Sequence, residues 1–292
     1  MKKVLFYGAG EFAKKFIAED TKDYEVVGVL DVQWKSKKTI CGHRIYEPER
    51  VSEFACDYVI IALDDLKKGA DKIIKEIYDR LVLLGVPENK IILQSFKSLE
   101  HHKNRLPRKQ YLQELSRMQL ERGLPGDIAE CGVFRGWFAS MMNEYYPEKK
   151  LWLFDTFAGF DSADVAVDTE EAKEAVLGGK FDHFNTTSED IVRMRCMYRE
   201  NLIFKKGYVP DTFQDVDAQF CFVNLDMDLY TPQLAALQFF SERMVKGGVI
   251  LVHDYYNAVF TGTKKAVDEF CAKKDGMILH PIGDGLSVAI LF

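Results

Sequence analysis

No stretch of this sequence comes near the roughly 18 consecutive apolar residues that a membrane-spanning helix requires. The opening segment is basic and then apolar, but Gly8-Ala9-Gly10 interrupts it too early for a secretory signal. None of the six cysteines has a partner at CxxC spacing. Cys56, Cys131 and Cys221 lie in or beside apolar runs, which reads as reduced core thiols in a cytoplasmic protein. Basic charge is not in excess. Against 45 Asp and Glu stand 39 Lys and Arg, a net charge of −6 that argues against a nucleic-acid backbone as the main ligand. The basic clusters at 35–38 and 101–108 read as a solvated turn and a linker. Neither half holds an internal repeat. The composition is that of a soluble globular protein, with a homo-oligomer left open. Its 292 residues give room for two domains.

What is present is an alternation of strands and helices. In the first part, strands are predicted at 3–7, 24–30, 57–63 and 90–93, with helices at 11–19 and 70–84. Such βαβ order implies a parallel sheet covered by helices. A shift in composition at 98–107, with basic residues, two histidines and a proline, places the connection there. The division is a first domain over 1–98, a linker and helix over 99–120, and a second domain over 121–292. In the second, strands are predicted at 128–133, 151–154, 202–205, 220–226 and 249–253, with helices at 136–145, 188–198, 232–244 and 262–274. Two closing strands around Ile282-Gly283-Asp284-Gly285 form an antiparallel hairpin. The fold class is α/β with two Rossmann-like domains, the second a class I methyltransferase-type sheet. Residues 159–187 have little apolar periodicity and read as a long loop, which is a lid, a binding segment or partly disordered, with Gly178-Gly179 as the candidate hinge of a lid.

Gly8-Ala9-Gly10-Glu11-Phe12-Ala13 follows a strand and opens a helix, the context of a dinucleotide-type turn. Gly8, Gly10 and Ala13 allow the tight turn, and the helix N-terminus suits a phosphate. Asp31 ends the next strand, where a ribose hydroxyl is expected. Val27-Gly28-Val29-Leu30-Asp31, Gly42-His43-Arg44-Ile45 with Pro48-Glu49, and Asp57-Tyr58-Val59-Ile60-Ile61-Ala62 complete the pattern. This half resembles the small Rossmann-like nucleotide-sugar-binding domains attached to sugar-modifying acyltransferases and methyltransferases.

The chemistry concentrates later. Glu130-Cys131-Gly132-Val133-Phe134-Arg135-Gly136 is a strand that runs into a glycine turn and a helix. A carboxylate there repels phosphate but suits a ligand with a cationic amino-acid tail. Asp155 ends the next strand, where it can hold ribose hydroxyls. Glu130 with Asp155 therefore suits S-adenosylmethionine, a nucleoside that lacks phosphate and carries a sulfonium. Asp226-Met227-Asp228-Leu229-Tyr230 and Val252-His253-Asp254-Tyr255 each follow an apolar strand. If those strands are neighbours, three carboxylates and an imidazole meet in one small volume. That composition suits a divalent metal and a base acting on an oxygen nucleophile.

Together with Asp155-Thr156-Phe157-Ala158-Gly159-Phe160 and Lys206-Gly207-Tyr208-Val209-Pro210-Asp211-Thr212, these segments resemble the macrocin O-methyltransferase family from about residue 121 to the end. The resemblance implies an S-adenosylmethionine-dependent, Mg2+-assisted methyl transfer to a sugar hydroxyl. It implies that Glu130, Gly132, Gly136, Asp155 and Asp211 line the cofactor site. It also implies that Asp226, His253 and Asp254 take the metal and base positions. Two departures stand out. Trp137 follows Gly136 where the family often has a second glycine, and His253-Asp254 stands where many members carry two aspartates. Histidine is a softer ligand than Mg2+ prefers, and its ordinary pKa near 6.5 equally suits a general base. Both roles stay open.

The expected mechanism is in-line attack of a sugar hydroxyl on the methyl group while Asp226 takes the proton. Phe160, Phe181 and Phe184 can stack on sugar or adenine, or anchor the loop. Two other functions fit the residues. One is a non-catalytic protein that binds S-adenosylmethionine or a nucleotide-sugar. The other is a nicotinamide-dependent oxidoreductase working through the first domain.

Overall fold

A computed structural model describes residues 1–19, 24–67, 69–95, 106–274 and 277–292. The chain divides into two compact units, Met1–Lys103 and Asn104–Phe292. Most of the expected connection, residues 98–105, lies outside the described residues.

In the first unit six strands form one sheet: β1 (Lys2–Tyr7), β2 (Tyr24–Leu30), β3 (Thr39–Ile40), β4 (His43–Tyr46), β5 (Tyr58–Leu63) and β6 (Ile91–Ser95). Their order is β3-β4-β2-β1-β5-β6, and every pair but β3–β4 is parallel. Helix α1 (Glu11–Glu19) lays Phe12, Phe16 and Ile17 on Val4, Phe6 and Val29 of the sheet. Helix α2 (Ala70–Leu83) follows β5. The β3–β4 hairpin had no counterpart in the sequence reading. Its turn places both Cys41 and Gly42 at positive φ, as a two-residue type I′ turn requires.

The second unit opens with helix α3 (Leu106–Glu121), which the sequence reading had assigned to the connection. Its Leu112 and Leu115 belong to the domain core. Gln119 donates to the carbonyls of Cys221 (3.0 Å) and Gly247 (3.2 Å) and accepts from the Tyr146 hydroxyl (2.7 Å). Seven strands follow: β7 (Asp127–Cys131), β8 (Leu151–Asp155), β9 (Leu202–Lys206), β10 (Phe220–Leu225), β11 (Met244–Val252), β12 (Leu279–Pro281) and β13 (Val288–Leu291). Their order is β12-β13-β11-β10-β7-β8-β9. The first five run parallel, and the closing hairpin pairs antiparallel, as expected. From β7 the chain steps outward through β8 to β9; from β10 it steps the opposite way to β11. The reversal between β7 and β10 is a topological switch point, where a crevice opens at the carboxyl ends of the strands. β10 is buried along its whole length, as a central parallel strand must be. Among the described residues no helix is long and apolar enough to cross a membrane.

Helix α4 (Trp137–Tyr145) follows β7. After β8 comes the segment predicted to be a long loop, and it contains structure of its own: α5 (Ser162–Val167), α6 (Glu170–Leu177) and a single 3₁₀ turn (Asp182–Asn185). Asp161 and Thr169 cap the two helices, accepting from Ala163 N (2.7 Å) and Ala172 N (3.4 Å). Gly178-Gly179, the expected hinge, directly follows α6. Gly178 N bonds Glu174 O (2.9 Å), Gly179 N bonds Val176 O (3.0 Å) and Lys180 N bonds Ala175 O (3.2 Å). Helices α7 (Glu189–Arg195), α8 (Tyr230–Ser241) and α9 (Thr261–Ala272) complete the unit.

These cap helices are docked. Val165 and Ala172 pack with Leu229 and Phe260. The buried Asp168 carboxylate accepts from Thr169 N (2.7 Å) and from Tyr230 N (2.6 Å), the first residue of α8. It also fills the space beside Gly262 in the first turn of α9. A carboxylate at two helix N-termini is stabilising. Replacing Asp168 by Ala is expected to weaken this docking by about 1–2 kcal/mol. Limited proteolysis should then cut residues 161–187 faster than in the parent protein, with the melting temperature of the domain changed little.

Candidate active site

Strand register decides which residues meet at the switch point. Leu225 of β10 pairs with Cys131 of β7 on one side and Val252 of β11 on the other. The next residues are therefore Gly132, Asp226 and His253, side by side. Backbone bonds continue the row, from Asp226 N to Cys131 O (2.8 Å), His253 N to Leu225 O (2.9 Å) and Gly132 N to Phe154 O (3.0 Å). Gly132, at φ 81°, comes so close that a Cβ would lie 1.9 Å from the Asp226 carbonyl oxygen. No other residue type fits there.

Among the described residues, Asp226, His253 and Asp254 come together as possible metal ligands, their ligand atoms all within 4.8 Å of one another. His253 Nδ1 lies 3.1 Å from Asp226 Oδ1 and 2.5 Å from Asp254 Oδ2. Both neighbours are acceptors, so Nδ1 carries the proton. Asp254 Oδ1 accepts from Asn257 Nδ2 (2.7 Å), and Asn257 Oδ1 in turn accepts from Val259 N (2.7 Å). Burial opposes charge on the imidazole, as does Arg108, but the field of Asp226 and the bonds to Asp226 and Asp254 raise its pKa. Burial also disfavours the Asp254 carboxylate, yet His253 and Asn257 hold its pKa below the ordinary value. His253 Nε2 is buried with no partner.

Behind this group lies a network absent from the sequence reading. Arg108, expected to end a solvated basic cluster and begin a helix, is fully buried on α3. Its Nη2 donates to Asn224 Oδ1 (2.7 Å) and Asp226 Oδ2 (3.2 Å), and its guanidinium lies 4.2 Å from the centre of the Phe138 ring. Asn224 passes the network on to Glu130 Oε1 (2.9 Å), its register partner across the strands. Nothing in the sequence links Arg108 to residues more than a hundred positions away.

Glu130 is 1% exposed, and its second carboxyl oxygen has no partner. Burial and the neighbouring Asp226 push its pKa well above the carboxylate range, with Arg108 and Asn224 opposing. Asp155 spends both oxygens on the turn after β7 and on its own strand end. It accepts from Val133 N (2.7 Å), Phe134 N (2.8 Å) and Phe157 N (2.7 Å). Gly136 precedes α4 at φ 75°. Trp137 meets Phe134 edge-on at 5.3 Å. Phe160, Phe181 and Phe184 cluster with Phe134 and Phe260, bridging the cap helices to the β7 turn. Thr186 O and Phe134 O accept from Arg135 and Thr187 respectively, fastening the cap to the same turn. Asp211 is exposed beyond β9, two strands from β7.

In the first unit Gly8, at φ 113°, approaches the Ala62 carbonyl so closely that a Cβ would meet its oxygen at 2.8 Å. Gly10 has open space around it, and Ala13 is buried in the core. Asp31 binds the glycine turn itself, accepting from Ala9 N (2.6 Å) and Gln33 N (2.7 Å).

The family model described as macrocin-O-methyltransferase (TylF) matches residues 103–285. A separate one, described as C2185-like, N-terminal, matches residues 1–92. The chain is 24% identical over 178 residues to the 8-demethyl-8-(2,3-dimethoxy-alpha-L-rhamnosyl)-tetracenomycin-C 4'-O-methyltransferase of Streptomyces olivaceus, covering 57% of this chain and 67% of that one. It is 26% identical over 162 residues to the demethyldecarbamoylnovobiocin O-methyltransferase of Streptomyces niveus, covering 52% and 60%. Among solved structures the O-methyltransferase NovP aligns with a TM-score of 0.56 at 20% identity, over 75% of this chain and 98% of that chain. That likeness shows the fold.

Glu130 supplies a pH test of the network. A carboxyl that keeps its proton in the folded state favours folding fully below its unfolded pKa of 4.5. That advantage is lost as pH rises toward the raised folded value. Glu130→Gln mimics the neutral acid and cannot ionise when unfolded. Denaturant unfolding at intervals between about pH 5 and 8 should show the variant gaining stability relative to the parent as pH rises. Parallel curves would mean that Glu130 is ionised in place.

Proposed function

Because the chain belongs to the macrocin-O-methyltransferase family and is an O-methyltransferase by that membership, we propose that it transfers the methyl group of S-adenosylmethionine to a sugar hydroxyl. The acceptor is a nucleotide-sugar, a glycan precursor or a glycosylated metabolite. The observation that carries this reading is the end row of the second sheet, where Gly132, Asp226 and His253 stand side by side at the switch point. Asp226 is its most open acid, 20% exposed, against 4% for His253 and 8% for the Asp254 side chain. The relative from Streptomyces olivaceus acts, by its name, on a rhamnosyl group.

In this reading S-adenosylmethionine lies over the turn from Gly132 to Gly136. Asp155 shapes that turn through Val133 and Phe134 and keeps one acceptor site, on Oδ1, for a ribose hydroxyl. Glu130 supports the wall from behind, and Asp211 borders the site from the β9 side. The acceptor oxygen attacks the methyl carbon in line. The O–C bond forms, the C–S bond breaks, and its electron pair stays on sulfur, leaving S-adenosylhomocysteine. Asp226 takes the hydroxyl proton. His253, held between two carboxylates, fixes the orientation of Asp226. The cap and its phenylalanines exclude water, and alignment of oxygen, methyl and sulfur supplies much of the rate.

Asp226, His253 and Asp254 offer two carboxylates and an imidazole at strand ends, a donor set that fits a divalent cation such as Mn2+ or Mg2+. When bound, the ion would stabilise the developing alkoxide. We assign the first domain to a nucleotide or nucleotide-sugar, held at the Gly8 turn and the start of α1, with Asp31 bracing that turn.

The test is mass spectrometry of a panel of nucleotide-sugars and glycosides incubated with S-adenosylmethionine. A product one methyl group heavier is expected. Asp226→Asn should lower turnover by about 100-fold or more while calorimetry shows S-adenosylmethionine still bound. Cofactor binding without turnover on any acceptor would favour a non-catalytic binding protein. For the first domain, fluorescence titration with NADH and with UDP-sugars separates the choices. Saturable NADH binding with hydride transfer would favour an oxidoreductase; binding of the UDP-sugar alone supports the assignment.

A further inference from the structure

We propose that Arg108 is a positioning residue for methyl transfer. It grips one oxygen of Asp226 and carries the fixed positive charge behind the acceptor site. The proposal rests on the reading of Asp226 as the base.

Arg108 belongs to the helix that precedes the first strand of the domain, outside every strand-end motif. Its side chain is 0% exposed. One nitrogen, Nη2, serves both Asn224 (2.7 Å) and Asp226 (3.2 Å), while Nε and Nη1 have no partner. A buried guanidinium with donors left over is a poor stabiliser of a fold, because desolvation opposes it and the unused N–H groups are not repaid. The arrangement makes sense when read from Asp226, the most open member of the row. Its Oδ2 is fixed by Arg108 and its Oδ1 faces His253, so the carboxylate plane is set from both sides. Arg108 sets a fixed positive charge against one edge of Asp226. The base is thereby balanced before any ligand arrives. A guanidinium suits this place where an ammonium does not. Its flat face rests on Phe138, and one nitrogen reaches two acceptors.

Sharing Asp226 also sets how strongly the site binds a cation. Arg108 and His253 each engage one oxygen of Asp226, so an ion competes with both for that carboxylate. Its charge is already partly balanced. Removing the guanidinium should therefore tighten divalent binding while slowing the reaction, a pair of opposite changes that a merely structural residue does not produce.

Arg108→Met and Arg108→Lys variants of the full chain test this. For Arg108→Met, kcat is expected to fall by about 30-fold or more, with calorimetric affinity for S-adenosylmethionine changed by less than about threefold. Mn2+ affinity, measured by electron paramagnetic resonance without any acceptor, should tighten by about threefold or more. Arg108→Lys keeps the charge but not the fork; it should lose about tenfold in kcat and leave Mn2+ affinity near the parent value. If Arg108→Met does not fold, Arg108→Lys carries the test. Parent-like kcat in either folded variant, or unchanged Mn2+ affinity in folded Arg108→Met, overturns the proposal, as does loss of S-adenosylmethionine binding in either. The Mn2+ measurement needs no turnover. A parent protein that methylates no acceptor therefore sinks the proposed function and leaves the Arg108–Asp226 coupling to be decided separately.

Discussion

Asp226 is bound from behind by a buried guanidinium and from the side by a buried imidazole, while its own side chain remains partly open. The rest of the second domain serves that placement. β10 lies between β7 and β11, and its register brings Asp226 level with Gly132 on one flank and His253 on the other. A slip of one residue would turn the whole strand over and bury the carboxylate against the apolar layers. Gly132 enforces the close approach, because any side chain there would collide with the Asp226 carbonyl. The core on both faces of β10, with Phe222 on one side and Phe220 and Val223 on the other, keeps the strand from moving.

The energetic logic of the network is uneven. Breaking a buried ion pair by removing one partner typically costs about 3–5 kcal/mol, yet such a pair often adds little net stability over an apolar replacement. Arg108, Asn224 and Glu130 therefore look expensive if stability is the only purpose. They are economical as a support that holds one acid in a fixed direction next to a cleft. The cap follows a similar pattern. Asp168 fastens it to the N-termini of α8 and α9, while Thr186 and Thr187 fasten its far end to the turn after β7. Asn257 links Asp254 to the backbone N–H of Phe260, whose ring belongs to the same apolar cluster as the cap helices.

Much of this was legible from the chain. Alternating apolar runs gave both sheets. The acid clusters at the ends of β10 and β11 were found because polar residues directly after a buried parallel strand are conspicuous. The sequence could not show that Arg108 leaves its basic neighbourhood and enters the core, because its partners lie 116 and 118 residues away. Local pattern marks Arg108 as the end of a basic cluster and the start of a helix, and neither feature points to a buried partner. The cap helices escaped notice because six and eight residues are too few for a 3.6-residue period to stand out. Their capping residues, Asp161 and Thr169, were the available signal. Asp31 and Asp155 were correctly seen at strand ends. What the spacing could not reveal is that each spends its oxygens on neighbouring backbone amides. Glu130 is legible as an acid near a strand end, but its bond to Asn224 joins strands that lie far apart in the chain.

The central claim is that methyl transfer takes place at Asp226, across the turn after β7. A crystal structure of the protein with S-adenosylhomocysteine tests it most directly. The account predicts the sulfur over the Gly132–Phe134 turn, within roughly 8 Å of the Asp226 carboxylate, the sum of a C–S bond, a near-attack gap of about 3 Å and one hydrogen bond. Cofactor bound elsewhere on the sheet, or with its sulfur facing away from Asp226, would contradict it.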